Sequence, residues 1–374
     1  MTPPIRVLSV VGTRPEAVKM APVIQKLRQT PGIEAITCVT AQHREMLDQV
    51  LALFEIKPEI DLNLMKPDQS LAEITAAIFI HLDQVIKDVR PDWILAQGDT
   101  TTVMATSLIA YYHHVKFGHV EAGLRTGDKY QPFPEEINRK VAGVTADLHF
   151  APTEWSKQNL LKENISPEII FVTGNPVIDA LQQVAGKPAP AEITKLADSF
   201  GDAKIVLVTA HRRENFGKPL ENICDALVEL GKIYQNRIHF VYPVHLNPNV
   251  QNTVYPRLGK YPETITLLDP LDYLPMVHLL KRSALVLTDS GGLQEEAPSL
   301  GIPVLVMRAA TERPEGIAAG TVKLVGTGTE KIISAVKTLM DSAEEVEKMT
   351  RASNPYGDGH ASERIVQALL DYQK

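Results

Sequence analysis

The feature that most constrains the fold is an alternation that occurs in two series. Short runs of β-forming apolar residues recur at 5–11, 35–40, 93–96, 116–120, 147–151 and 169–172. A second series follows at 205–209, 238–242, 264–267, 285–288, 302–307 and 321–325. Helix-patterned segments separate most of these runs, as in 71–88, where Leu71, Ile74, Ile78, Leu82, Val85 and Ile86 share one face. Apolar runs without polar alternation are strands buried on both faces, and parallel sheets covered by crossover helices produce that pattern. Gly186, Pro188, Pro190 and Gly201 interrupt the alternation between the series. The expected architecture is therefore α/β, with two Rossmann-like, doubly wound domains facing a central cleft. The expected division is 1–181, a linker at 182–202, a second domain at 203–360, and a C-terminal helix at 361–374 returning to the first domain.

A chain of 374 residues is long enough for two such cores. Its formal charge of −7 argues against nucleic-acid binding and against an anionic membrane surface. The two cysteines, Cys38 and Cys224, provide neither a disulfide framework nor a metal cluster, so no metal is expected. The apolar N-terminal run is too short for a signal peptide, and no stretch is long enough to span a bilayer. A cytoplasmic location is expected.

In open α/β sheets ligands bind beyond the carboxyl ends of the strands, so residues at those ends are the candidates. The turn Asp289-Ser290-Gly291-Gly292 leads from a strand into a helix. The first N–H groups of that helix lack intrahelical partners and favour an anion. Of Glu295 and Glu296, at least one is expected to face away from a phosphate, and a ribose diol is a natural partner for the other. Arg308 and Arg313 add positive charge from the following loop. An ordinary βαβ turn is the alternative reading. At the first strand, Thr13 is a candidate cap, and Arg14 and Lys19 suggest a second anion site; a capped helix with solvated charges is the alternative.

Asp99 is either the cap of the helix that follows it or a catalytic carboxylate, and the cap is the simpler local reading. Glu121 directly follows a strand. A long Gly/Pro-rich loop then leads to Glu135 at a helix start, and His211 lies in another strand-end loop. Three carboxylates on one sheet edge suit general acid and base work. No G-x-G-x-x-G pattern occurs, so a nicotinamide cofactor is unsupported.

Several ordered blocks together resemble the non-hydrolysing UDP-N-acetylglucosamine 2-epimerases. They are Val11-Gly12-Thr13-Arg14-Pro15-Glu16, Gln97-Gly98-Asp99-Thr100-Thr101-Thr102 and His119-Val120-Glu121-Ala122-Gly123-Leu124-Arg125-Thr126-Gly127, then Pro134-Glu135-Glu136. His211-Arg212-Arg213-Glu214-Asn215, Thr288-Asp289-Ser290-Gly291-Gly292 and Thr311-Glu312-Arg313-Pro314-Glu315 complete the set. The resemblance implies a GT-B fold, interconversion of UDP-GlcNAc and UDP-ManNAc, and neither metal nor redox cofactor. It implies Asp99, Glu121, Glu135 and His211 as catalytic residues. It places Arg14, Lys19 and Arg213 with the substrate, and Ser290, Gly291, Gly292, Glu296 and Arg313 on UDP, with Glu296 at the ribose. Met276 stands where an aromatic side chain stacks on the base in some relatives, and Leu271 where some have Gln. A homodimer is implied, as is a second UDP-GlcNAc acting as activator near residues 42–47. Glu45 and Asp68 would add negative charge there and weaken such a site.

The competing readings are a hydrolysing epimerase, an epimerase of a modified UDP-2-acetamido sugar, a GT-B glycosyltransferase and a non-catalytic UDP-sugar sensor. The last would not need three strand-end carboxylates.

Overall fold

A computed structural model describes residues 3–40, 44–65 and 69–372. The chain divides into two units. One comprises residues up to Ala180 together with those from Tyr356 onward; the other is Leu181–Pro355.

The first unit is built on a parallel sheet of β1 (Ile5–Val11), β2 (Ile33–Val39), β3 (Ile60–Asp61), β4 (Trp93–Gln97), β5 (Lys116–Val120), β6 (Leu148–Ala151) and β7 (Ile170–Val172). Their spatial order is β3-β2-β1-β4-β5-β6-β7. Chain order reverses between β1 and β4, the switch point where doubly wound sheets bind ligands. Every residue of β4 is buried, which explains the uninterrupted apolar run at 93–96. The helix Ala361–Tyr372 belongs to this unit, and its first turn is held by Asp179, which accepts from Ala361 N at 3.1 Å and Ser362 N at 2.8 Å.

The second unit repeats the plan with β8 (Lys204–Thr209), β9 (Ile238–Pro243), β10 (Ile265–Leu268), β11 (Ser283–Thr288), β12 (Val304–Val306) and β13 (Val322–Leu324). The order is β10-β9-β8-β11-β12-β13, all parallel, with the switch between β8 and β11.

Segment 182–202 differs from a plain linker. It holds the end of the helix Pro176–Ala185 and a second helix, Ala191–Ser199. Ile193 and Ala197 of that second helix are buried in the core of the second unit with Val241 and Leu279. The Pro/Gly punctuation marks the helix ends, while the apolar spacing between them buries one face. Among the described residues no helix is long and apolar enough to cross a membrane.

Candidate active site

In the first unit the candidate residues gather at the carboxyl ends of β1, β4 and β5. The helix after β4 is capped by Thr100, whose side chain accepts from Val103 N at 3.4 Å. Asp99 is therefore not the cap, contrary to the simplest local reading. Gly98 adopts φ +89°, which swings the chain out of the strand immediately before Asp99. Arg139 grips the Asp99 carboxylate from Nε at 2.8 Å and Nη2 at 2.6 Å. Asn138 donates to the Asp99 carbonyl at 2.8 Å. Both holders come from the helix Glu135–Thr145, so the first turn of that helix is tied to the end of β4.

Glu121 is 5% exposed and sits in left-handed backbone at φ +63°. A non-glycine residue held there signals strain of the kind found at functional sites. Lys19 Nζ contacts its Oε2 at 2.5 Å, and Gln97 Nε2 donates to the same oxygen. Lys19 therefore pairs with a carboxylate rather than standing as a free anion-binding charge. Glu135 starts its helix with Oε2 buried and lacking a hydrogen-bond partner. Its neighbour Glu136 is fully buried and accepts from Thr126 N and Gly127 N, each at 3.1 Å, pinning the Gly/Pro-rich loop. His119, 1% exposed, contacts the Gly98 carbonyl through Nε2 at 2.7 Å. Burial holds His119 down to about 4, so it is neutral and Nε2 is the donor.

Thr13 caps the helix Arg14–Gln29, accepting from Glu16 N at 3.4 Å. Glu16 reaches back to accept from Gly12 N at 2.6 Å. This buried carboxyl is pushed up to about 7 by desolvation. Arg14 is half-buried, with Nη1 4.0 Å from Met46 Sδ.

In the second unit the organising element is the turn after β11. Ser290 precedes the helix Gly291–Ser299 and makes no side-chain capping bond, so its side chain leaves the first-turn N–H groups uncapped. Gly291 is required by packing: a Cβ there would lie 2.7 Å from Arg313 Nη1. Arg313 is 9% exposed, bonded to Glu295 through Nε and to Glu312 through Nη1 at 2.9 Å. Glu295 thus faces Arg313, while Glu296 accepts from Tyr273 Oη at 2.8 Å. The two adjacent glutamates thus have different partners, Arg313 and Tyr273. Burial favours a neutral Glu312, but the guanidiniums of Arg313, Arg308 and Arg212 overcome it and hold Glu312 at about 2.

His211 leads the loop after β8. Its ring stacks on His245 at 5.3 Å, and burial lowers its pKa while Asp289 raises it. Arg213 is exposed in the short turn that follows, and Met276 and Leu271 pack half-buried against the core beside Leu293. Gln42, Glu45 and Asp68, the residues bearing on an activator site, lie outside the described side chains.

Sequence reasoning missed the holders: Gln97, His119, Glu136, Arg139, Tyr273 and Asp289. The spacing of Glu136 and Arg139 on one helix face was a readable signal, and they pair at 3.1 Å. The others reach partners distant in the chain.

A sequence model of the UDP-N-acetylglucosamine 2-epimerase family matches residues 25–370. The Salmonella typhimurium UDP-N-acetylglucosamine 2-epimerase is 54% identical, over 99% of each chain. The Bacillus subtilis enzyme is 52% identical, over 98% of this chain and 95% of its own. The crystal structure of the Neisseria meningitidis UDP-GlcNAc 2-epimerase bound to UDP-GlcNAc has a TM-score of 0.91 at 51% identity, over 98% of this chain and all of that one. A Rickettsia africae glycosyltransferase at 15% identity, with a TM-score of 0.64, shares the fold alone. With more than half of all residues identical along nearly the full length of these relatives, and the family model matching most of the chain, the chain belongs to the UDP-N-acetylglucosamine 2-epimerase family.

Proposed function

We propose that this protein interconverts UDP-GlcNAc and UDP-ManNAc by eliminating UDP to a 2-acetamidoglucal and adding it back. The observation that carries this reading is Glu121: a buried carboxylate in strained backbone at a strand end, held by Lys19 and Gln97. The C2 hydrogen of the sugar has no adjacent carbonyl and is too weak an acid for direct removal. Ionising the C1–O bond first places positive charge beside C2 and acidifies that hydrogen. The C1–O electron pair leaves with UDP, a carboxylate takes the C2 proton, and a C1=C2 bond forms. Return of a proton to the opposite face of C2, with UDP rebonding to C1, gives the epimer.

Two faces call for two proton-transfer groups, and Asp99, Glu121 and Glu135 supply carboxylates for those roles and for stabilising the cation. Ser290, Gly291 and Gly292 bind the diphosphate through the helix N-terminus, with His211 on the leaving group. Arg14 and Arg213 add charge for the phosphates. Arg313 shapes the cradle from behind Gly291, Glu296 takes the ribose, and Met276 lies under the base. Lys19 acts on the sugar side through Glu121.

Turnover of UDP-GlcNAc in D₂O, followed by proton NMR without added cofactor, tests this. Deuterium at C2 of both UDP-sugars, with UDP-ManNAc formed, is the expected result. An epimer that keeps its C2 proton would overturn elimination. Free ManNAc with UDP would identify a hydrolysing enzyme instead.

A further inference from the structure

Asp289 immediately follows β11 and is fully buried. Its two oxygens have different surroundings. Oδ2 accepts from His211 N at 2.8 Å, Arg212 N at 2.8 Å and Asn215 Nδ2 at 2.9 Å. That oxygen is saturated, and it ties the His211 loop to the turn that carries Ser290. Oδ1 is buried with no hydrogen-bond partner, and His211 Nδ1 stands 3.5 Å from it. A lone pair on Nδ1 facing a buried carboxylate oxygen would be repulsive, and would leave Oδ1 wholly unsatisfied. A proton on Nδ1 removes both costs as the contact shortens.

We infer that Asp289 is a positioning residue that fixes His211 in the Nδ1–H tautomer, so that Nε2 is the atom presented to the leaving diphosphate. Nε2 makes no hydrogen bond among the described residues, and the His211 side chain is 35% exposed. Asp289 thereby does two jobs: one oxygen places the loop, and the other sets which nitrogen can exchange a proton with UDP. When Nε2 gains a proton, the buried carboxylate stabilises the imidazolium. The ring's other charged or titratable neighbours are His245, Arg212 and Glu214, so Asp289 and Glu214 are the anions acting on it. A 3.5 Å contact is long for a hydrogen bond, and catalytic contacts of this kind shorten when substrate binds. The catalytic half of the inference rests on the proposed role of His211; the tautomer does not.

The test uses the full-length protein labelled with ¹⁵N-histidine, free and with UDP, with His211 assigned by its loss in His211→Asn. A neutral ring protonated on Nδ1 and bare on Nε2 is expected, and the opposite tautomer would overturn the inference. In turnover, Asp289→Asn directs an amide N–H at Nδ1 and forces the wrong tautomer. The expected result is a fall in kcat of about 10²–10³-fold with UDP affinity nearly unchanged. In the His211→Asn background the same change should cost almost nothing, because the ring it acts through is gone. Independent, multiplying losses would reduce Asp289 to a loop anchor. If His211→Asn turns over like the wild type, the catalytic assignment falls while the tautomer result stands. If Asp289→Asn fails to fold, the spectrum of the unmutated protein still decides.

Discussion

Glu16 is buried and Glu312 half-buried, one in each unit near a strand end, and their surroundings drive them in opposite directions. Desolvation pushes Glu16 up to about 7, with only neutral hydrogen bonds from Gly12 and nearby threonines to oppose it. Glu312 is also desolvated by its half-buried position, yet three guanidiniums hold it at about 2. The contrast extends to the regions around them. In the first unit Lys19 pairs with Glu121 and Arg139 with Asp99, one cation to each carboxylate. The second unit gathers Arg212, Arg308 and Arg313 near an uncapped helix start. Moving protons needs carboxylates that can lose and regain charge; holding a diphosphate needs fixed positive potential. The same βα scaffold supplies either, depending on what fills the strand ends.

The sharpest way to break this division of labour is to neutralise Glu121. Glu121→Gln keeps the shape but removes the carboxylate proposed to move the proton. A fall in kcat of about 10³-fold is expected, the scale of a lost proton-transfer group. UDP binding, measured by calorimetry, should stay within about threefold, since most of the residues proposed to hold UDP lie in the other unit. A matching loss of UDP affinity would show that the two roles are not separated.

A large stability effect belongs to the cation-rich region. Arg313→Met strands Glu295, which is 1% exposed, without its guanidinium. Breaking a buried pair from one side costs about 3–5 kcal/mol, readable by urea denaturation. Arg313→Met with Glu295→Leu should recover most of that loss. A single substitution costing under about 1 kcal/mol would mean that solvent reaches the pair.

Glu16 yields the pH-dependent prediction. Its folded pKa is about 7 against a usual 4.5. A raised carboxyl contributes its stability fully below the unfolded value, and that stability is lost as pH rises through the folded one. Wild-type stability should therefore decline between about pH 4.5 and 7 through this group, by at most about 3 kcal/mol. Glu16→Gln should flatten the slope, so the variant gains on the wild type as pH rises. A stability difference independent of pH would show that Glu16 titrates normally.

Much of the scaffold was legible in the sequence because parallel strands buried on both faces write themselves as unbroken apolar runs, as 93–96 does. The proton-transfer candidates were legible too, because they stand at strand ends beside glycines and caps. Asp99 and Thr100 show where local reading stops: both residue types cap helices, and only the backbone path after Gly98 decides between them. The holders were illegible for a different reason. Arg139 for Asp99, Lys19 for Glu121 and Asn215 for Asp289 are joined only once the sheet brings separate βα units together. Segment 182–202 was misread because prolines and glycines end helices as readily as they fill linkers.

The smallest expected effect tests the finest detail of the cation-rich region, the different partners of Glu295 and Glu296. Tyr273 donates its hydroxyl to Glu296 at 2.8 Å, and the tyrosine is only half-buried. Removing one such hydrogen bond costs about 0.5–1.5 kcal/mol. If Glu296 holds the ribose, Tyr273→Phe should loosen its aim and raise KM by about threefold, kcat staying level, as expected when ground and transition states lose the same contact. The discriminating ligand is 2′-deoxy-UDP, compared with UDP by calorimetry. Wild type should prefer UDP, and Tyr273→Phe should narrow that preference. An unchanged preference would remove the ribose from Glu296 and leave the Tyr273 contact as a brace for the helix Gly291–Ser299 alone.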